Sequence, residues 1–163
     1  MSSAAVPPEL FRRACAQFPT GVAVLTTRAL DGAPHGLTIN AFCALSLNPP
    51  LVLAAIDRAS GTLEAFETSG HFAINFLTLE QKHLSIRFSE VPEGRFEGVA
   101  WSAGASGAPI LDGALGWIEC RTERMIDAGD HRALIGEVLG ASAGEGDPLV
   151  YFRSRYTAIG GVL

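Results

Sequence analysis

The sequence predicts a mainly β fold: an antiparallel barrel, closed or partly closed, with peripheral helices. Three observations predict it. Short alternating or β-branched runs recur through the chain, at 22–28, 35–42, 51–56, 71–77, 114–124, 133–141 and 149–152. Gly, Pro and Asp clusters separate several of them, as turns do. Helical patterns are few and do not alternate with the strands, which excludes a doubly wound sheet.

The elements follow in order. Residues 1–6 read as a frayed terminus. Pro7 and Pro8 open a helix in which Leu10, Phe11, Ala14, Cys15 and Phe18 share one face, and Pro19 ends it. The strand at 22–28 turns through DGAP (31–34) into a returning strand at 35–42. Pro49-Pro50 forms a rigid corner before a buried strand at 51–56. A short helix at 61–68 leads to the strand at 71–77. Thr78 and Gln81 have capping-box spacing, opening a helix to about residue 88. Residues 92–107 are loop. In 114–124, Ile118, Cys120 and Thr122 alternate with Glu119, Arg121 and Glu123, which predicts a sheet with one wet face. The chain is expected to form one domain over 1–163, with its core at about 8–156.

Composition narrows the function. Of the 163 residues, 48% are hydrophobic and 18% charged, so the chain is long and apolar enough to bury a core. Mean hydropathy is +0.26, which allows for apolar surface covered by a second subunit. The net charge of −5, with no cluster of Lys or Arg, disfavours nucleic acid. No apolar run approaches the roughly 20 residues of a membrane helix. With no signal-peptide pattern at the start, the expected location is the cytoplasm. Cys15, Cys43 and Cys120 are odd in number and widely spaced; each is expected to pack as a small core residue. No spacing of His35, His71, His83 and His131 suits a metal.

Four segments could carry chemistry, and each has an ordinary explanation. Thr38 and Asn40 are two apart on a strand and share a face, which could read the polar edge of a flat ring; a cross-strand pair on a wet face is the commoner use. Asp57, Ser60 and Thr62 lie between a buried strand and a helix, where N–H groups and hydroxyls suit a phosphate; simple N-capping explains them too. Arg87 could reach a phosphate and Phe88 a ring, or they could serve the helix end and the core. His131, in the turn GDH (129–131), could contact a nicotinamide or simply bond within its turn. There is no nucleophile elbow, paired-carboxylate site or Rossmann fingerprint, which points to chemistry carried by a cofactor.

The order of five segments carries a resemblance. FPTGVAVLTT (18–27), GLTINAF (36–42), LSLNPPLV (45–52), GDH with IGEV (129–131 and 135–138), and PLVYF with Tyr156 (148–152) stand in one sequence. Together they resemble the flavin reductase-like, FMN-binding split-barrel family over about residues 11–156. The resemblance implies a homodimer that reduces FMN or FAD with NADH or NADPH and passes the reduced flavin to a separate oxygenase. By position, it implies that Thr38, Ile39, Asn40 and Ala41 contact the isoalloxazine. It places Ala55, Asp57, Ser60 and Thr62 along the ribityl chain and phosphate, and Arg87 and Phe88 at the phosphate end. It sets His131 beside the nicotinamide, orienting it. The implied step moves a hydride from nicotinamide C4 to flavin N5, with the rings held roughly 3–3.5 Å apart. Ala41 departs from the Ser of many relatives, and Lys82 is the only lysine. Two competing readings are a non-catalytic flavin carrier or sensor and a pyridoxamine-phosphate oxidase-like protein; the GDH and LSLNPPLV segments disfavour the second.

Overall fold

The computed structural model describes residues 6–160. The predicted frayed terminus lies, except for Val6, outside the described residues. The elements in order are α1 (Pro8–Cys15), β1 (Thr20–Gly21), β2 (Ala23–Arg28), β3 (Pro34–Ile39), β4 (Phe42–Leu47), β5 (Pro50–Asp57), α2 (Leu63–Ser69) and β6 (His71–Phe76). A 3-10 turn at Leu79–Gln81 then leads into α3 (Lys82–Glu90). After it come β7 (Trp101–Ala103), β8 (Pro109–Leu111), β9 (Gly116–Ala128), β10 (His131–Ala143), β11 (Val150–Phe152) and β12 (Arg155–Thr157).

Seven strands make one antiparallel sheet in the order β3-β2-β6-β9-β10-β5-β4. Its two edge strands, β3 and β4, are consecutive in sequence and joined only by Asn40 and Ala41. Laid flat, the sheet would hold these edges about 29 Å apart, six steps of about 4.8 Å. Three extended peptide steps span only about 10–11 Å. The sheet must therefore curl until its edges meet. At the meeting point the Ala55 N–H donates to Ala41 O at 3.2 Å, but β3 forms no ladder with β4 or β5. That unzipped seam is the split of the barrel.

The curl encloses a core in which Leu25, Ile56, Phe72, Ile74, Cys120 and Leu134 have no exposure. Gly136 makes room for it: a Cβ there would stand 2.3 Å from Phe72 Cζ and 2.8 Å from Cys120 Cβ. A second cluster, with Val24, Leu77, Phe88 and Leu149 at its centre, packs α3 against the outside of β2 and β3. Buried Asn75 ties the 109–111 strand to the barrel. Its amide donates to Val24 O (3.2 Å) and Thr26 Oγ1 (3.1 Å), and its Oδ1 accepts from the Leu111 N–H (2.8 Å).

The strands at 22–28, 51–56 and 71–77 and the capping box stand as expected: the Thr78 N–H donates to Gln81 Oε1 at 3.2 Å. Other expectations need correction. The returning strand stops at Ile39, and 42–47 forms a separate edge strand. Its residues are mostly apolar, but they show no buried alternation because most of the strand is exposed. Glu119, placed on the wet face, is 2% exposed because its carboxylate accepts the N–H groups of Ala105 and Ser106. Cys120 is a core residue, but Cys15 and Cys43 are exposed. The apolar face of α1 finds no core either: Leu10 and Phe11 are both more than half exposed.

Candidate functional site at the barrel seam

The seam places Thr38, Ile39, Asn40 and Ala41 between the two edges of the sheet. Ile39 turns its side chain into the core, 6% exposed, and so offers only backbone outward. Thr38 Oγ1 donates to Ser85 O at 2.6 Å, leaving lone pairs as its remaining polar capacity. Asn40 is exposed, and its amide has no partner among the described residues. Thr38, Ile39 and Asn40 line a cleft of about 380 Å³ that α3 and β12 close from the other side, whereas Ala41 lines a neighbouring cleft beside α1. There Ser85 Oγ and Tyr156 OH share a hydrogen bond of 2.9 Å. The expected shared face of Thr38 and Asn40 is thus realised in one cleft, although Asn40 lies just past the strand end.

On the far side of β3 a second cleft, of about 510 Å³, is lined by His35, Gly36, Gly61, Thr62 and Arg95. Ser60 Oγ and Thr62 Oγ1 share a 3.0 Å hydrogen bond, and Asp57 Oδ1 accepts from the Ala59 N–H at 2.8 Å, which tightens the turn into α2. Thr62 is the residue before α2, yet neither hydroxyl caps the helix in the ordinary way. Arg95 was not singled out by the sequence. It sits in a glycine-rich loop with no pattern, and only the fold brings it to Gly36, whose carbonyl accepts from Nη1 at 2.7 Å. Burial lowers its pKa from the ordinary arginine value.

Arg87 and Phe88 stand otherwise than expected. Arg87 donates from Nε to Arg95 O (2.6 Å) and from Nη2 to Gly94 O (2.9 Å), so it braces the loop after α3 and lines none of these clefts. Phe88 has no exposure, and its ring packs edge-on against Phe96 at 4.9 Å. It is a core residue, and the open face it would need for a ligand is covered. A Cβ at Gly36 would lie 3.0 Å from this ring, so the glycine lets strand and helix approach.

Ala55 is half-buried on β5 beside the seam. His131 pairs with Asp57 in register across β10 and β5. The Arg58 N–H donates to Asp130 O at 2.9 Å, joining the two turns. His131 Nδ1 lies 2.8 Å from Asp130 Oδ1. The hydrogen bond and then the charge of His131 hold the Asp130 carboxyl below its usual value, and Arg12 adds a smaller pull in the same direction. The structure therefore joins His131 to Asp57, Thr38 to Asn40, and Ser60 to Thr62.

The sequence that folds into this seam matches a known family. The family described as flavin reductase like domain matches residues 15–160. The chain belongs to that family. It is 39% identical over 160 residues to the reductase subunit HsaB of a flavin-dependent monooxygenase from Mycobacterium tuberculosis, covering 96% of this chain and 85% of the relative. It is 42% identical over 142 residues to the FMN reductase (NADH) SmoA of Agrobacterium fabrum, covering 86% and 80%. The NADH:FAD oxidoreductase SgcE6 of Streptomyces globisporus, solved in complex with NAD and FAD fragments, has the same architecture. Its TM-score is 0.88 at 30% identity, over 97% of this chain and 98% of that one. The family match takes in every site residue named above, including Arg95.

Proposed function

We propose that this chain is an NAD(P)H-dependent flavin reductase that supplies reduced FMN or FAD to a separate monooxygenase, acting as one split-barrel domain over about residues 8–156. The seam carries this reading. It combines an amide without a partner, hydroxyl lone pairs and backbone edges in a cleft of ligand size. That donor and acceptor set fits a ring whose edge carries both carbonyl and N–H groups. The hydroxyls of Ser60 and Thr62, with the spare Nη2 of Arg95, fit a phosphate. The reading is further supported by relatives named as flavin reductases.

A bound flavin supplies the hydride-accepting ring, and the nicotinamide supplies the hydride. The residues of this chain bind and orient. Thr38, Ile39, Asn40 and Ala41 hold the ring edge, with the small Ala55 leaving space beside it. Asp57 shapes the turn that presents Ser60 and Thr62 to the phosphate. Arg87 acts at one remove, holding the loop that aims Arg95. His131, fixed by Asp130, orients the nicotinamide. None of these groups has to give or take a proton for the hydride to move, so the protein's contribution is position and preorganised dipoles.

The working unit we propose is a homodimer. Leu10, Phe11, Phe18, Leu45 and Leu47 are exposed, Leu47 almost completely, and these apolar side chains are the surface that a second subunit would cover. No helix among the described residues is long and apolar enough to cross a membrane, and the cytoplasm remains the proposed location. The deciding experiment follows absorbance at the NADH band with FMN, with FAD and without flavin, then repeats it with NADPH. Oxidation that depends on added flavin is the expected result. A tightly bound yellow chromophore with no oxidation would instead make the chain a carrier or sensor.

A further inference from the structure

A third cleft, of about 570 Å³, opens on the other side of Asn40. It lies between α1, the Asn40–Ala41 link and the turn between β11 and β12. It shares Asn40, Tyr151 and Ser154 with the seam cleft, so whatever fills the two must meet. Its charge sets it apart. Arg12 and Arg153 line it, and no carboxylate does. The neighbouring clefts hold Glu90 in the first, and Glu93 and Glu97 in the second. On a chain of net charge −5, two arginines in a cleft wall that holds no acid make a local patch of positive charge.

Both arginines are presented rather than consumed. Arg12 is exposed, and its guanidinium has neither a hydrogen bond nor a salt bridge among the described residues. Arg153 stands in a tight turn at φ 48°, with Ser154 at φ 61°, both left-handed. The turn is anchored to the end of α1 by the Arg153 N–H, which donates to Ala16 O at 3.2 Å. Nε and Nη2 of Arg153 both donate to Gln17 Oε1, which fixes the guanidinium and leaves Nη1 free. Thr20 Oγ1, on the same wall, is buried and has no partner among the described residues. The charge of Arg12 also contributes, as the smallest of several causes, to lowering the pKa of the Asp130 carboxyl in the turn that holds His131.

We propose that this third cleft receives the dinucleotide of the hydride donor, with Arg12 and Arg153 taking its pyrophosphate. The proposal rests on the flavin reductase reading and adds a subsite to it. A pyrophosphate carries two negative charges that two guanidinium groups can share through charge-assisted hydrogen bonds. Held there, the donor's ring is directed toward Asn40, where the two clefts join. The site reads the pyrophosphate, which NADH and NADPH have in common.

The test compares the wild type with Arg12→Gln, Arg153→Gln and the double variant, using two donors. One is NADH; the other is reduced nicotinamide riboside, which has the same ring and no phosphate. The expected result is a KM for NADH raised about tenfold or more in the double variant, the loss expected for an anion contact removed. The KM for flavin and the rate with the riboside should hold within about twofold. Arg12→Lys should recover most of the NADH affinity. Because Arg153 occupies a strained turn, the Arg12 variants on an exposed helix decide the matter if Arg153→Gln fails to fold. An unchanged KM for NADH would overturn the proposal while leaving an active reductase. Equal loss with both donors would make the arginines structural and overturn it as well. A loss confined to NADPH would move them to the 2′-phosphate and overturn the pyrophosphate assignment. If the wild type oxidises neither donor with FMN or FAD, the flavin reductase reading itself fails.

Discussion

Arg87 and Arg95 on one side of the barrel seam, and Arg12 and Arg153 on the other, are placed in opposite ways. The first pair spends its N–H groups on carbonyls: Arg87 on Gly94 and Arg95, and Arg95 on Val91 and Gly36. The second pair lines a cleft with no acid in its wall; the Arg12 guanidinium has no hydrogen-bond partner among the described residues, and that of Arg153 is held by the amide oxygen of Gln17 and lies over the Phe152 ring, 4.9 Å from its centre. A guanidinium has five donors. Where backbone carbonyls take two of them at separate points, as at Arg87 and Arg95, the side chain braces a loop, and only a spare donor such as Arg95 Nη2 is left for a ligand. Where they stay open beside a cleft, it is a reader of anions. Residue type alone does not separate the two uses; what surrounds each guanidinium does, backbone carbonyls of a loop in one pair and an open cleft wall in the other.

The braced side should respond first in stability. Its keystone is Gly36, whose carbonyl receives Arg95 and whose missing Cβ admits the Phe88 ring. Gly36→Val would press a branched side chain against Phe88 and Leu25 O. The expected loss is about 3 kcal/mol, at the upper end for overpacking, read as a shift in denaturant midpoint. A variant as stable as the wild type would mean that α3 can slide, and the brace would lose its foundation. Arg95→Ala should cost about 2 kcal/mol, since two charge-assisted bonds to half-buried carbonyls are lost. It should also raise the KM for FMN while leaving that for riboflavin, which has no phosphate, close to unchanged. Arg87→Ala should cost about 1–2 kcal/mol by the same reasoning, with a smaller effect on FMN, because it acts only through the loop.

How far these differences were legible follows from the same residues. The strand cores at 22–28, 51–56 and 71–77 were readable because their apolar side chains point into one interior. The edge strand at 42–47 was not, because an edge buries too little to force a pattern. Thr38, Asn40, Ser60 and Thr62 stand out as polar groups beside strand ends; the fold sets Thr38, Asn40 and Thr62 in clefts and bonds Ser60 to Thr62. Arg87 is readable because it closes a helix pattern, whereas Arg95 gains its position only when the 91–97 loop folds back on β3. Phe88 was chosen for its ring, and burial removes it. Arg12 was invisible because the expected apolar face of α1 took precedence. Its value as a cation emerges only when the 153–154 turn docks against that helix.

Cys120 offers a test of the interior that is independent of the arginines. Burial, and then the neighbouring Glu119, push its thiol from 9.0 up to about 12. The unfolded chain therefore loses this proton first as pH rises. Stability should fall between pH 9 and about 12, since the folded state binds more protons there. Cys120→Ala should flatten that slope. With a thiol reagent near pH 8, Cys15 and Cys43 should label quickly and Cys120 only on unfolding.

The smallest expected effect bears most directly on the open pair. The Asp130 carboxyl is held below its usual value of 3.8, first by the hydrogen bond and charge of His131 and then, among other contributions, by Arg12. A depressed carboxylate stabilises the fold above its unfolded pKa, and that contribution disappears as pH falls through the folded value. Wild type and Asp130→Asn should therefore differ most above pH 4 and converge in stronger acid. The pair is exposed, so the gap should be slight and should shrink with added salt. Titrating Asp130 by NMR in Arg12→Gln sharpens the comparison. If Arg12 is an open charge reaching across the cleft mouth, the carboxyl should titrate closer to 3.8 in the variant, while its bond to His131 remains. An unmoved titration would mean that solvent already screens Arg12 from the turn. The third cleft would then lose its electrostatic link to the turn that holds His131.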